Sequence, residues 1–398
     1  MNQNKISIPL LALMMSFVAF SIDAVLPALG IIGKDLLVTD PNENQQIITS
    51  IFFGLAIGQL IYGPISDSIG RKPTIYVGFV FFLIGSFLCI LAKDMTLMNI
   101  GRVLQGFGLS ANRIVCIALI RDVFKGDEMA KVMSFIMTIF IIVPTLAPFI
   151  GQGILFFGDW KLIFYCLLIF TSLVTVWFAV KQKETLTVEQ RQPFSISRIS
   201  KVVVAIFKNE KSLNYTIVAG LIFSAFMTYL NMSQQIFQDL YGKTETFPMY
   251  FAIIAISIGL ASFLNGRLVK RFGMYKIIKT ALVAIITISG GFVLYIQHFG
   301  NPNFIVFILL LIPMMFSVGF LFGNLNAIAM EPLGKVAGIG ASVIGSLSTM
   351  ISVPISAYLG QLYEGNVMPL IAGFLVLSVA AISIVFWTEY KTNKVLPS

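Results

Sequence analysis

The sequence predicts an all-α membrane protein of twelve transmembrane helices arranged as two pseudo-symmetric six-helix bundles. Three observations predict it. The first is composition: 11% of the 398 residues are charged and 57% are apolar, with a mean hydropathy of +0.91, whereas a soluble domain is about a quarter charged. The second is segmentation. A helix needs about 20 apolar residues to cross the roughly 30 Å hydrocarbon core, and the chain divides at charged or Pro/Gly-containing breaks into twelve runs of that length. The third is an internal repeat: the charged turn Gly63, Pro64, Asp67, Gly70, Arg71, Lys72, Pro73 has its skeleton repeated 203 residues later as Gly266, Arg267, Lys270, Arg271, Gly273.

The first span, 6–32, follows a single Lys5 and lacks a small-x-small cleavage site. It is far longer than a signal-peptide apolar region and is read as a retained helix. Span two, 46–65, leads into the charged turn that parts it from span three, 74–92. Span four, 97–120, begins after Lys93 and ends at Arg121 and Asp122. Spans five and six, 130–157 and 161–180, close the first bundle, residues 1–180. The polar segment 181–211 is the linker, and 212–398 forms the second bundle. Its spans are 212–238, 248–266, 275–297, 304–330, 336–363 and 368–387, interrupted by Lys243, the second charged turn, the loop carrying His298, and the pair Glu331-Pro332. These runs have helix-length apolarity rather than the ten-residue alternation of a barrel, and helices satisfy every backbone polar group internally.

Lys and Arg set the orientation, because basic loops stay cytoplasmic. With both termini inside, only Lys34, Lys93, Lys161 and Lys243 of the 27 basic residues fall outside, and Arg102 and Arg113 lie within span four. The net charge of +9 is therefore mostly a topology signal, not a mark of nucleic-acid binding. The linker holds Lys181, Lys183, Arg191, Arg198, Lys201, Lys208 and Lys211. It reads either as a solvated positive-inside loop or, over 198–207, as a surface helix on anionic headgroups. Cys89, Cys116 and Cys166 lie inside spans and imply no disulfide framework. No Gly-x-x-x-x-Gly-Lys-Ser/Thr phosphate loop occurs, which argues against ATP-driven transport on this chain.

Two six-helix halves joined by a basic linker are the pattern of a parallel-repeat secondary transporter. Gly63, Pro64, Asp67, Gly70, Arg71 and Lys72 resemble the loop between helices two and three of the major facilitator superfamily; the copy departs by placing Lys270 where the first has Asp67. Asp23, Leu26, Pro27, Ala28 and Leu29 resemble the Asp-x-x-Leu-Pro-Ala-Leu of its Bcr/CflA drug:proton antiporter branch. Gly58 to Pro64, Arg102 to Gly106, Arg121-Asp122 and Ala329 to Leu333 are similar to the same branch, in the same order. Pro144, Pro148 and Gly151 resemble the antiporter motif of helix five, with Ala147 and Gln152 in place of two of its glycines.

Asp23 is the one acidic residue well inside a predicted span, and such a group costs about 2.5–3.5 kcal/mol on insertion scales, so it faces a cavity or a partner. It lies roughly 20 Å along helix one, at a depth within reach of Arg102. The two are candidates for proton coupling, the alternative being a static pair that fixes helix packing. Arg113 follows Arg102 by 11 residues, which returns to within about 20° of the same face, so both are expected to look into one cavity. The resembled branch usually has a small residue at this position; here the guanidinium favours carboxylate, phosphate or hydroxyl-rich substrates, or else reaches toward the cytoplasmic interface or pairs with a polar residue such as Asn112, Asn324 or Asn326.

Tyr229, Asn231 and Gln235 in span seven, and Asn324 and Asn326 in span ten, avoid lipid. The resemblance implies that they line a substrate pocket; inter-helix hydrogen bonding is an equal account. It also implies that Asp67, Arg71 and Asp122, with Gly63 and Gly70 shaping the turn, latch the two halves, that Glu331 acts as a gate or cap, and that Pro144, Pro148 and Gly151 form a pivot. His298 reads as an ordinary solvated imidazole.

Together these readings describe a proton-coupled exporter of small organic molecules, a multidrug-type antiporter of the bacterial inner membrane working by alternating access. The alternative is an exporter of an anionic metabolite such as a carboxylate-rich metal chelator. No cofactor, metal or nucleic acid is expected; the proton gradient supplies the energy, lipid is the solvent, and the chain is expected to act as a monomer. A membrane enzyme is opposed by the lack of a buried nucleophile, base and metal-ligand constellation.

Overall fold

A computed structural model describes residues 7–395, so Ile6 of the first span lies outside the described residues. The chain divides into two compact units, Met1–Ile199 and Ser200–Ser398.

In the first unit, α1 (Ile8–Asp23) gives way to a 3-10 turn (Leu26–Ala28) and a short α2 (Leu29–Asp35). The sequence reads as one continuous span here, and the structure breaks it after Asp23. Pro27 is the reason: it has no N–H to donate to the carbonyl four residues back, which is that of Asp23. The unit continues with α3 (Gln46–Ile69), α4 (Arg71–Leu91), α5 (Met95–Val123), α6 (Gly126–Leu155) and α7 (Lys161–Lys181). α5 begins at an Asp94 cap, whose carboxylate accepts from Leu97 N at 2.8 Å.

α5 is the centre of this unit and packs chiefly on α3 and α4. Small residues allow it: a β-carbon on Gly106 would collide with the Ile51 carbonyl of α3, and one on Gly108 with the Gly78 carbonyl of α4. Where lipid offers no hydrophobic drive between helices, such backbone approach is a main source of attraction. On α4, Val77, Val80, Ile84, Phe87 and Leu91 share one helical face and are all exposed. A continuous exposed apolar stripe has lipid as its natural neighbour.

The linker contains a helix of its own, α8 (Ile196–Lys208). The second unit holds α9 (Glu210–Gln234), α10 (Phe247–Phe272), α11 (Met274–Phe299), α12 (Phe304–Met330), α13 (Ala337–Gln361) and α14 (Met368–Val395). α9 does not end as a plain helix: residues Gln235–Leu240 continue it as a π-helical turn, an irregularity frequent at functional sites. Twelve long helices thus answer to the twelve expected spans. Eleven of the helical stretches are apolar and long enough to cross a membrane among the described residues, and α6 contributes a shorter apolar stretch, Ile142–Leu155, within its 30 residues.

Candidate functional site

The end of α1 brings Asp23 to the interior of the first unit, where it is buried. Arg102, on α5, is wholly covered, with 0% of its surface exposed. The structure does not join these two as an ion pair. The guanidinium is engaged elsewhere: Nε donates to the Ile47 carbonyl of α3 at 3.1 Å, and Nη1 donates to the Ser21 carbonyl of α1 at 3.1 Å and to Gln105 Oε1 at 2.8 Å. Gln105 in turn donates to Ser86 Oγ on α4 at 2.8 Å, and the Phe164 ring of α7 lies 5.9 Å from the Arg102 guanidinium carbon. Neutral acceptors from three helices therefore hold this cation. The Asp23 carboxylate makes no ion pair or hydrogen bond among the described residues.

Arg113 differs from Arg102 in accessibility. It shares a face with Arg102 on α5, yet Arg113 is exposed while Arg102 is sealed. The reason is local: α1 and α3 cross α5 at the level of Arg102 and take its hydrogen bonds there. Arg113, about 16 Å further along the helix, has no ion pair among the described residues. An ionised side chain partway along a spanning helix faces the bundle interior, a water-filled cavity or a partner as a rule.

Gly151 ties the antiporter-motif helix to this centre. α6 runs through Pro144 and Pro148 without interruption, and a β-carbon on Gly151 would overlap the carbonyl oxygen of Ala24. The break after Asp23 is thus packed directly against α6.

A second cluster gathers at the charged turn. Arg71, almost fully buried, donates from Nη1 to Asp67 Oδ1 at 2.6 Å and to Ser66 Oγ at 2.7 Å, and from Nε to Asp122 Oδ2 at 3.0 Å. Gly63 contributes its carbonyl to the Ser66 hydroxyl at 3.0 Å. Sequence reasoning missed one member, Glu184. Its carboxylate accepts four backbone N–H groups, from Arg71 at 3.1 Å, Lys72 at 3.0 Å, Thr185 at 2.9 Å and Leu186 at 3.0 Å. It thereby caps α4, where a negative charge meets the positive end of the helix dipole. Gly70 adopts φ 108°, a conformation that favours glycine, and a β-carbon there would press on Glu184 Oε2. The linker continues across the cluster: Thr185 Oγ donates to Asp122 Oδ2 at 2.8 Å, and Gln192 N to the Asp67 carbonyl at 2.9 Å. Residues 182–192 are therefore part of the first unit rather than loose chain.

In the second unit, Tyr229, Asn231 and Gln235 are buried, and the Tyr229 ring stacks on Phe251 of α10 at 5.9 Å. Asn324 is committed to a reciprocal amide pair with Asn265 of α10, at 2.8 and 3.2 Å, while Asn326 is exposed and donates to its own helix at Phe322 O. Span ten thus uses Asn324 for inter-helix bonding. Glu331 pairs with Lys211 at 2.9 Å. At the π turn, Gln234 donates to both oxygens of Asp239 at 3.3 Å, an acidic partner one residue beyond the predicted span.

The sequence profile of the Major Facilitator Superfamily matches residues 11–349. The chain belongs to that superfamily. Among its superfamily relatives, a bicyclomycin resistance protein homolog of Haemophilus influenzae is 30% identical, covering 93% of this chain and 94% of its own. The multidrug resistance protein MdtL of Salmonella heidelberg is 28% identical, covering 89% of each. The crystal structure of a D-xylose-proton symporter superposes with a TM-score of 0.71 at 14% identity, over 95% of this chain and 96% of that one. As a superfamily member the chain is a multi-pass membrane transporter for small molecules, not an enzyme.

Proposed function

We propose that the protein exports drug-like organic molecules in exchange for protons by alternating access across the bacterial inner membrane, with both termini cytoplasmic. Asp23 carries the proton, and the gradient is the energy source, with no bound cofactor. The observation that carries this reading is Asp23 itself: a buried carboxylate at the broken end of α1, without an ion-pair partner among the described residues, while Arg102 is held by neutral acceptors. Such a group must bind a proton, reach water or find a partner. Opening or closing the helix end that carries it changes which of these is available, so access and protonation are linked. The drug class is supported by the bicyclomycin and multidrug resistance names of the relatives. Arg102 positions α1, α3 and α5 around the site. The Asp67–Arg71–Asp122 cluster is the latch of the first half, and the buried polar groups Tyr229, Asn231 and Gln235 become substrate contacts in another state of the cycle.

Proton release on adding substrate to the purified protein tests the proposal, with Asp23→Asn as the control. Release that persists in Asp23→Asn removes Asp23 from the mechanism.

A second reading, export of an anionic metabolite, is favoured by the exposed and unpaired Arg113. Counterflow in vesicles separates the two. If Arg113→Ala loses an anionic substrate and keeps a cationic drug, the anionic reading stands.

A further inference from the structure

We propose that Trp160 is a positioning residue for the Asp23 centre: it ties α2 to the start of α7 and so controls when the carboxylate meets water on the outer face. The proposal rests on the reading of Asp23 as the proton carrier. Three observations support it.

The first is that one indole reaches both sides of the helix break. Trp160 stands immediately before α7 and is only 1% exposed. Its Nε1 donates to Oδ2 of Asp35, the last residue of α2, at 2.9 Å. Its ring meets that of Phe164 edge to face, with centroids 5.9 Å apart and planes at 90°. Phe164 in turn faces the Arg102 guanidinium, which donates to the Ser21 carbonyl of α1. Trp160 therefore holds the segment after the break directly and, through two side chains, the segment before it. Upstream, α1 is also gripped by α7 where the rings of Phe17 and Phe20 pack on Phe170 at 4.9 and 6.5 Å. Downstream, the bond from Trp160 is the counterpart of that grip.

The second is that α2 cannot hold its own position. Its seven residues are too few for a helix to persist without tertiary contacts. Its end is also strained. Val38 N donates to the Gly33 carbonyl at 2.9 Å, the closing bond of a helix stop in which the residue before the donor turns left-handed. That residue is Leu37, at φ 56° and 86% exposed, where glycine is the usual choice. A leucine there gains no burial in return, so surrounding contacts must impose the conformation. Asp35 adds to the cost by placing a carboxylate at the negative end of the helix dipole. The indole N–H offsets that charge.

The third is what α2 covers. Leu29, Ile32 and Leu36 are buried, and Gly33 lies so close to Asn44 that a β-carbon would overlap its side chain. Releasing α2 uncovers this face and, at its other end, the break that carries Asp23. In the proposed topology Trp160 and Asp35 stand on the outer side, from which protons enter.

The test follows α2 and the proton separately. Trp160→Phe keeps a ring against Phe164 and removes only the N–H donor. In the full chain in nanodiscs, a membrane-impermeant maleimide reads two single-cysteine proteins, one with Leu36→Cys as the reporter and one retaining only the native Cys116, which is buried in the core of the first unit. Loss of one hydrogen bond to a charged acceptor is expected to speed labelling at 36 by about ten-fold, the equivalent of about 1.4 kcal/mol, with no change at 116. Asp35→Leu should give the same rise, and the two substitutions together no more than either alone. In proteoliposomes without substrate, Trp160→Phe should leak protons several-fold faster, and adding Asp23→Asn should abolish the leak. Unchanged labelling at 36, an equal rise at 116, or additive effects of the two substitutions overturn the tie. Faster labelling without a leak overturns its control of access. Faster labelling with a leak that survives in Asp23→Asn keeps the tie and overturns the reading of Asp23 as the proton carrier. Elution and melting temperature show that each variant is folded.

Discussion

Gly151 of α6 lies against the main-chain carbonyl of Ala24, the first residue past the end of α1. The contact joins the antiporter-motif helix to the break that carries Asp23. Gly151→Leu must push the two backbones apart, and overpacking of this kind costs about 1–3 kcal/mol. We expect a lower melting temperature and loss of active transport in proteoliposomes. Gly151→Leu protein that transports at the native rate would show that the approach is incidental.

Asp23→Asn keeps the size and polarity of the side chain and removes its titration. The variant should still bind substrate but should neither accumulate it against a gradient nor show a pH-dependent rate. Substrate binding measured by fluorescence, beside uptake driven by an imposed pH difference, distinguishes a failed coupling step from a failed fold.

Arg102 serves acceptors on α1, α3 and its own helix, so its truncation strands several at once. Hydrogen bonds to a charged group are worth about 1.5–3 kcal/mol each. Arg102→Ala is therefore expected to lose folded yield outright. Arg102→Lys retains the charge but not the fork of donors, and should fold with a reduced melting temperature. A native melting temperature for Arg102→Ala would contradict the packing role.

Glu184 and Gly70 act on the same helix end. Removing a cap costs about 0.5–2 kcal/mol, and Glu184→Gln should lie at the low end because it keeps an acceptor. Gly70→Ala displaces the carboxylate and strains the backbone. Because the two residues touch, the double variant should be less destabilised than the sum of the singles, as a double-mutant cycle of melting free energies would reveal. Strict additivity would mean that Gly70 matters only for its own conformation.

The helices were legible because each apolar run is bounded by charge, proline or glycine, and membrane helices leave few other ways to arrange such runs. The charged turn was legible for a similar reason: Asp67 and Arg71 are four apart across one tight turn, at the end of α3 and the start of α4, and Asp122 closes a nearby helix. The break after Asp23 was readable in principle from Pro27, which the motif contains, but a proline in a membrane helix bends as often as it interrupts. The partners of Arg102 were hidden for a physical reason. Two of them are backbone carbonyls, which every residue possesses, so no side-chain pattern announces them. Glu184 was hidden by distance, since it meets Arg71 across 113 positions of chain. Asp239 was hidden by the π turn, which carries the helical course past the point where apolarity ends.

The docking of residues 182–192 on the charged turn also decides how the chain meets a protease. A segment of seven lysines and arginines is where trypsin would be expected to cut first. Here Lys183 and Arg191 flank backbone that is hydrogen-bonded through Glu184 and Gln192, and Arg198, Lys201 and Lys208 lie in helical conformation, so the segment is less open to cutting than its composition suggests. Cleavage at Lys183 or Arg191 can proceed only when the segment leaves the turn, so the rate of nicking there is a clock for how often the turn stands uncovered.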